Sequence, residues 1–144
     1  MTLSTIERVF LLQGSELFRQ IPTQELVLVA QLCQEVTFKS GERFIRAGDE
    51  GDCLYIIAVG EASVVVEGHG QIGISREGEV IGEMAIISSK PRSASCVAIT
   101  DITALQITRA DFQSLMEENP AVTLGVLEVI VNRLDDTLHK LGSQ

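Results

Sequence analysis

The chain has 144 residues, enough for one domain with its own core, and its apolar content of 45% with a mean hydropathy of +0.25 marks it as globular, not disordered. Twenty acids against eleven bases leave a net charge of −9, and no local cluster of Lys or Arg offsets it, which argues against nucleic-acid binding. The longest unbroken apolar run, CLYIIAV, is too short to cross a bilayer, and the N-terminus lacks a signal-peptide pattern.

Residues 4–36 read as helical. Ser4 or Thr5 can cap a first helix carrying Ile6, Val9, Phe10 and Leu12, which stops near Gly14. Ile21-Pro22-Thr23 opens a second, with Leu26, Leu28, Val29 and Leu32 on its apolar face. From Val36 to about Ile107 the pattern changes to short segments rich in Val, Ile, Phe and Tyr, separated by glycines. GDEGD precedes the strand LYIIAV, and EGHGQ fits a hairpin tip before IGI. Strands at this close spacing imply a small barrel or jelly-roll-like sandwich.

Helical signals return at the end. Thr108 and Asp111 resemble a capping box that opens a short helix over 108–116, and Asn119-Pro120 breaks it. The last helix places Leu124, Leu127, Val131, Leu134, Leu138 and Leu141 at spacings 3-4-3-4-3, an a/d seam. That seam suits either packing on the chain's own barrel or pairing with a second copy through residues 121–141. The expected architecture is mainly β with flanking helices. It forms one domain over 1–144: N-terminal helices over 1–36, a β-roll over 37–107 and C-terminal helices over 108–144.

The three cysteines, Cys33, Cys53 and Cys96, are odd in number and lack metal-ligand spacing, so they read as buried thiols in a reducing cytoplasm. His69 sits in a Gly-rich hairpin tip and His139 in the last helix, too far apart in pattern for a shared metal. No nucleophile and base stand together either, so the chain does not read as an enzyme.

The segment over 81–96, IGEMAIISSKPRSASC, is the one that carries chemistry. It is apolar or small apart from Glu83, Lys90, Arg92 and neutral hydroxyls. Arg92 can form a forked, charge-assisted pair of bonds to a phosphate, with Ser93 and Ala94 small enough for their own N–H groups to approach the same anion. Gly82 with Met84 and Ala85 can open a helical turn whose free N–H groups favour an anion. A carboxylate repels phosphate, so Glu83 suits a sugar hydroxyl, and it can also orient Arg92. These residues together describe a nucleotide cradle; an internal Glu83–Arg92 salt bridge closing a loop explains them as well.

GEMAIISSKPRSAS resembles the phosphate-binding cassette of the cyclic-nucleotide-binding domain family. LFRQIP (17–22), FKSGERFIRAGDEGDCLYIIAVGEASV (38–64) and the terminal helices also fall where that family places them, so the resemblance covers roughly residues 15–140. It implies a double-stranded β-helix (jelly-roll) barrel followed by a hinge and a lid helix. It also implies a non-catalytic sensor in which Glu83 takes the ribose 2′-hydroxyl and Arg92 the cyclic phosphate, helped by Ser93 and Ala94. Gly82, Met84 and Ala85 complete the cradle; Val64, Ile72 and Ile81 wall the base and sugar; Thr137 contacts the base. Ser93 stands where a threonine often accompanies cGMP and fits either base, but bacterial cAMP-binding members use serine there, so the implied ligand is cAMP, favoured over cGMP. The implied partner is an effector, fused or separate, that responds through the C-terminal helices. Ile81 stands where the family commonly has an aromatic, and no aromatic follows Phe112 to stack on the base. The rival to this reading is a domain that keeps the fold for protein contacts and has lost the ligand.

Overall fold

The computed structural model describes residues 2–142. Two helices come first, α1 (Thr5–Gln13) and α2 (Thr23–Leu32). Strands β1 (Gln34–Phe38), β2 (Arg43–Ile45), β3 (Cys53–Val59), β4 (Ala62–Val66), β5 (Gly70–Ser75) and β6 (Val80–Ile81) follow. A short helix α3 (Glu83–Ser88) interrupts them before β7 (Ser95–Ala98) and β8 (Ile102–Thr108). Helices α4 (Arg109–Glu118) and α5 (Pro120–Gly142) complete the described chain. All strand pairs are antiparallel, in two four-stranded sheets ordered β1-β8-β3-β6 and β2-β7-β4-β5. The expected jelly-roll sandwich with helices at both ends of the chain is what the structure shows.

The local signals explain most element boundaries. Ser4 Oγ accepts from Glu7 N at 3.1 Å while a Glu7 carboxylate oxygen accepts from Ser4 N at 2.9 Å, a complete capping box for α1. Thr108 Oγ1 accepts from Asp111 N at 3.2 Å and caps α4. Asn119 leaves the helical region at φ −131°, and Pro120, which has no N–H to lose, starts α5. Two boundaries differ from the sequence reading. The helical stretch ends at Leu32, not residue 36, because Gln34–Phe38 pairs along its whole length with β8, and that ladder outweighs local helical preference. The short helix runs on to Glu118, two residues beyond the expected end.

Strand β3 reads as a continuous apolar run because both of its faces are covered. Leu54 and Ile56 point to a core shared with the helices, where Leu12, Phe18, Leu26, Leu105, Ile107 and Phe112 are fully buried. Cys53, Tyr55 and Ile57 point the other way, into the space between the sheets, with Ile45, Ile81, Cys96 and Ile102. Phe38 and Phe44 stack there at a centroid distance of 4.4 Å, and Tyr55 meets both edge-on.

Helix α5 is seated on the N-terminal segment by its backbone. A Cβ at Gly125 would run into the Leu17 carbonyl group, so only glycine permits this approach. Glu128, one turn on, takes hydrogen bonds from Arg19 and Gln20. Gly125→Ala should therefore lower stability by about 1–3 kcal/mol through overpacking. On a free helix face the same change would stabilise by roughly 1 kcal/mol. Chemical denaturation followed by circular dichroism decides the sign.

Candidate functional site

A cavity of about 540 Å³ opens between β4, β5 and β6, the segment over 82–96, and the second half of α5. All eleven candidate residues line it: Gly82, Glu83, Met84, Ala85, Arg92, Ser93 and Ala94 from the cassette, Val64, Ile72 and Ile81 from the strands, and Thr137 from α5. They are not equally placed. Glu83 and Arg92 are buried at 0% and 8% exposure, whereas Ile72 and Met84 are more than half exposed at 56% and 54%.

Arg92 is held from both sides by the strands around it. Its backbone N–H donates to Asp49 O at 2.8 Å and its carbonyl accepts from Gly48 N at 2.9 Å, so the GDEGD turn grips the residue in place. In the guanidinium, Nη1 donates to Gly82 O at 3.0 Å and Nη2 to Cys53 O at 2.6 Å. A guanidinium has five N–H donors, so this fixes its orientation and leaves donors over for an anion in the cavity. Gly82 makes that contact possible. It adopts φ +92°, and a Cβ there would collide with Arg92 Nη1. The segment from Gly82 forms the short helix α3, as its composition suggests, and Ser89 in the left-handed region at φ 60° ends it.

Glu83 does not pair with Arg92. Its Oε1 is bonded by Arg133 Nη1 from α5, fifty residues away, while Arg133 Nη2 donates to Val80 O at 3.1 Å. The internal Glu83–Arg92 salt bridge is therefore not what explains the two residues, and Glu83 is not the group that orients Arg92. Its other oxygen, Oε2, is buried with no hydrogen-bond partner. Burial raises the Glu83 pKa above its ordinary 4.5, while the Arg133 charge and, more weakly, that of Arg92 oppose the rise. A buried carboxylate oxygen without a donor costs stability unless something supplies one.

Four cations border the cavity: Lys90, Arg92, Arg133 and Lys140, on a chain with only eleven bases. Of these, Arg133 and Lys140 were missed by the sequence reading, and Arg133 is the one that reaches Glu83. It lies off the apolar seam of α5, and its meeting with Glu83 depends on how the last helix returns over the barrel. Arg109, another such residue, is the first of α4. It donates to Gly51 O and, at 3.1 Å, to Ala85 O, so it joins α4 to the GDEGD turn and to α3.

An oriented guanidinium, a buried carboxylate with one oxygen unclaimed, and an apolar wall share one cavity of mononucleotide size. A family model for the cyclic nucleotide-binding domain matches residues 35–119. The chain belongs to the cyclic-nucleotide-binding domain family. Among its relatives, the cAMP-dependent protein kinase regulatory subunit of Debaryomyces hansenii is 36% identical over 104 residues, covering 71% of this chain and 23% of that protein. The cGMP-dependent protein kinase egl-4 of Caenorhabditis briggsae is 28% identical over 137 residues, covering 90% of this chain and 18% of that one. The crystal structure of the Thermus thermophilus catabolite activator protein superposes with a TM-score of 0.80 at 28% identity, over 89% of this chain and 62% of that one. The chain thus spans less than a quarter of the length of these two kinase relatives. Among the described residues no helix is long and apolar enough to cross a membrane, and no group of His, Cys, Asp and Glu could hold a metal ion.

The Glu83–Arg133 pair gives a pH-dependent prediction. Arg133→Ala leaves the buried carboxylate with no partner and should cost about 1–3 kcal/mol at neutral pH. Removing the arginine raises the folded-state pKa of Glu83 further, so the carboxylate's part of the deficit should be absent below the unfolded value of 4.5 and grow as pH rises through the folded pKa, with only the lost Val80 contact remaining at low pH. Urea unfolding of both proteins from pH 4 to pH 8 tests this, and a deficit independent of pH would contradict it.

Proposed function

We propose that this chain is a non-enzymatic sensor module that binds a cyclic purine nucleotide in the cavity and passes the binding on through α4 and α5. The observation that carries the reading is Glu83 Oε2, buried and unpartnered in the same cavity as an oriented Arg92. A ribose 2′-hydroxyl supplies the missing donor to Oε2. The cyclic phosphate takes the free donors of Arg92, with Ser93 and Ala94 offering backbone N–H groups beside it. Gly82, Met84 and Ala85 close the cradle, and Val64, Ile72 and Ile81 cover the sugar and base. Thr137 reaches the base from α5.

The preferred ligand is cAMP, with cGMP as its competitor. Ser93 after the cassette arginine fits both bases, and one relative named for each nucleotide lies among the similar proteins. The output is an effector, fused to the chain or bound by it, or a second copy paired through α5. Three free, buried cysteines suit a cytoplasmic protein. Because α5 contributes Arg133, Asp136, Thr137 and Lys140 to the cavity, ligand contacts there shift the position of the helix only as far as the ligand prefers one position over the other.

Calorimetric titration with cAMP and with cGMP tests the reading. Binding at micromolar concentration or tighter is expected, with cAMP the stronger ligand. Silence toward both, from folded protein free of co-purified nucleotide, would leave a ligand-free interaction domain. Arg92→Lys keeps the charge but removes the fork, and should weaken binding by about 1.5–3 kcal/mol, roughly ten- to a hundredfold. Arg92→Ala is the poorer probe, since the Gly82 and Cys53 carbonyls would lose their donors as well.

A further inference from the structure

Strand β8 turns Ile102 and Ala104 into the apolar space between the sheets, and by alternation Gln106 follows on the same face. An amide there interrupts an apolar layer, and its half-buried side chain donates from Nε2 to Cys53 Sγ at 3.3 Å. Register makes the contact. Gln106 stands opposite Tyr55 and Cys53 opposite Thr108, so Gln106 and Cys53 are diagonal neighbours on one face, a separation that a glutamine side chain spans. Neither residue is part of the cavity wall.

Cys53 is where one end of Arg92 is held. Its carbonyl accepts from Arg92 Nη2 at 2.6 Å, and its sulfur lies 4.0 Å from the same nitrogen. It is also the first residue of β3, and its pairing with Thr108 is the outermost in that ladder, so fewer backbone contacts fix it than fix the residues behind it. A sulfur with two donors aimed at it serves as an acceptor. Gln106 thereby pins, from the neighbouring strand, the residue whose carbonyl aims the guanidinium.

We propose that Gln106 and Cys53 are positioning residues of the anion site, keeping the remaining N–H donors of Arg92 turned to the phosphate. The proposal rests on the reading above in taking Arg92 as the partner of that phosphate. Only Nη1, on Gly82 O, and Nη2, on Cys53 O, fix the plane of the guanidinium, so a shift at Cys53 rotates the free donors. Hydrogen bonds weaken steeply as their angle closes, and a forked pair to an anion feels the rotation in both bonds at once.

Calorimetric titration with cAMP of the full chain and of Gln106→Leu reads the effect. A loss of roughly two- to tenfold in affinity is expected, the worth of one neutral hydrogen bond. The ratio of cAMP to 2′-deoxy-cAMP affinity should stay unchanged, because the ribose side of the site is untouched. In an Arg92→Lys background the same substitution should cost nothing further, whereas a purely structural role would add its loss there too. Cys53→Ser keeps an acceptor for Gln106 and should bind more tightly than Cys53→Ala, which has none. The guanidinium is also read without nucleotide, by proton NMR. Separate Nη1 and Nη2 signals of Arg92, held apart by hindered rotation, should merge in Gln106→Leu. Unchanged affinity, or a loss that persists in the Arg92→Lys background, overturns the proposal. So do Arg92 signals that stay separate in Gln106→Leu. If the unsubstituted chain binds no cyclic nucleotide, the sensor reading fails by itself, and the NMR comparison still decides whether Gln106 orients Arg92.

Discussion

A carboxylate taken out of water governs how this domain is put together. Glu83 is fully buried, and the burial that favours its neutral form is opposed by Arg133, which crosses from the last helix to meet one oxygen. Removing one partner from such a pair costs more than the pair contributes, since the remaining charge is stranded. The contact therefore ties α5 to the cavity rim, at both Glu83 and the Val80 carbonyl, more firmly than apolar packing alone would. It also leaves the second oxygen unsatisfied, and that remaining demand is what the proposed hydroxyl contact would meet.

Around this pair, the sheets act as a rigid mount. Arg92 is fixed by the GDEGD turn behind it and by two strand-end carbonyls in front, so its guanidinium needs no reorganisation to receive an anion. The helices are mounted differently. Gly125 sets α5 backbone to backbone on Leu17, while residues 131–142 are all exposed and reach the barrel through Arg133 and the cavity side chains. One helix thus has a seated half and a half whose position depends on the cavity. Arg109 gives α4 a comparable link, from its first residue to the carbonyl of Ala85.

What could be read from the sequence was local. Ser4, Thr108 and Pro120 announce helix starts because a cap acts within one turn. The glycines mark hairpins, and the cassette spells out Glu83 and Arg92 as the two groups that need explaining. What escaped was set by contacts distant in sequence. Gln34 and Glu35 look like the polar end of α2 until β8 pairs with them. Nothing near residue 83 points to Arg133, and nothing near residue 109 points to the carbonyl of Ala85. The seam of α5 was visible in its spacing. That a different stripe, Val122-Val126-Val129, is the one that packs inward became clear only from the fold.

The most direct measurement compares cAMP with 2′-deoxy-cAMP in calorimetric titrations of the same protein. The two ligands differ by one hydroxyl, the group assigned to Glu83 Oε2. Loss of that charge-assisted hydrogen bond should weaken binding by about 1.5–3 kcal/mol, at least tenfold. Equal affinity for the two would mean that the buried carboxylate does not read the ribose, and would contradict the role assigned to Glu83.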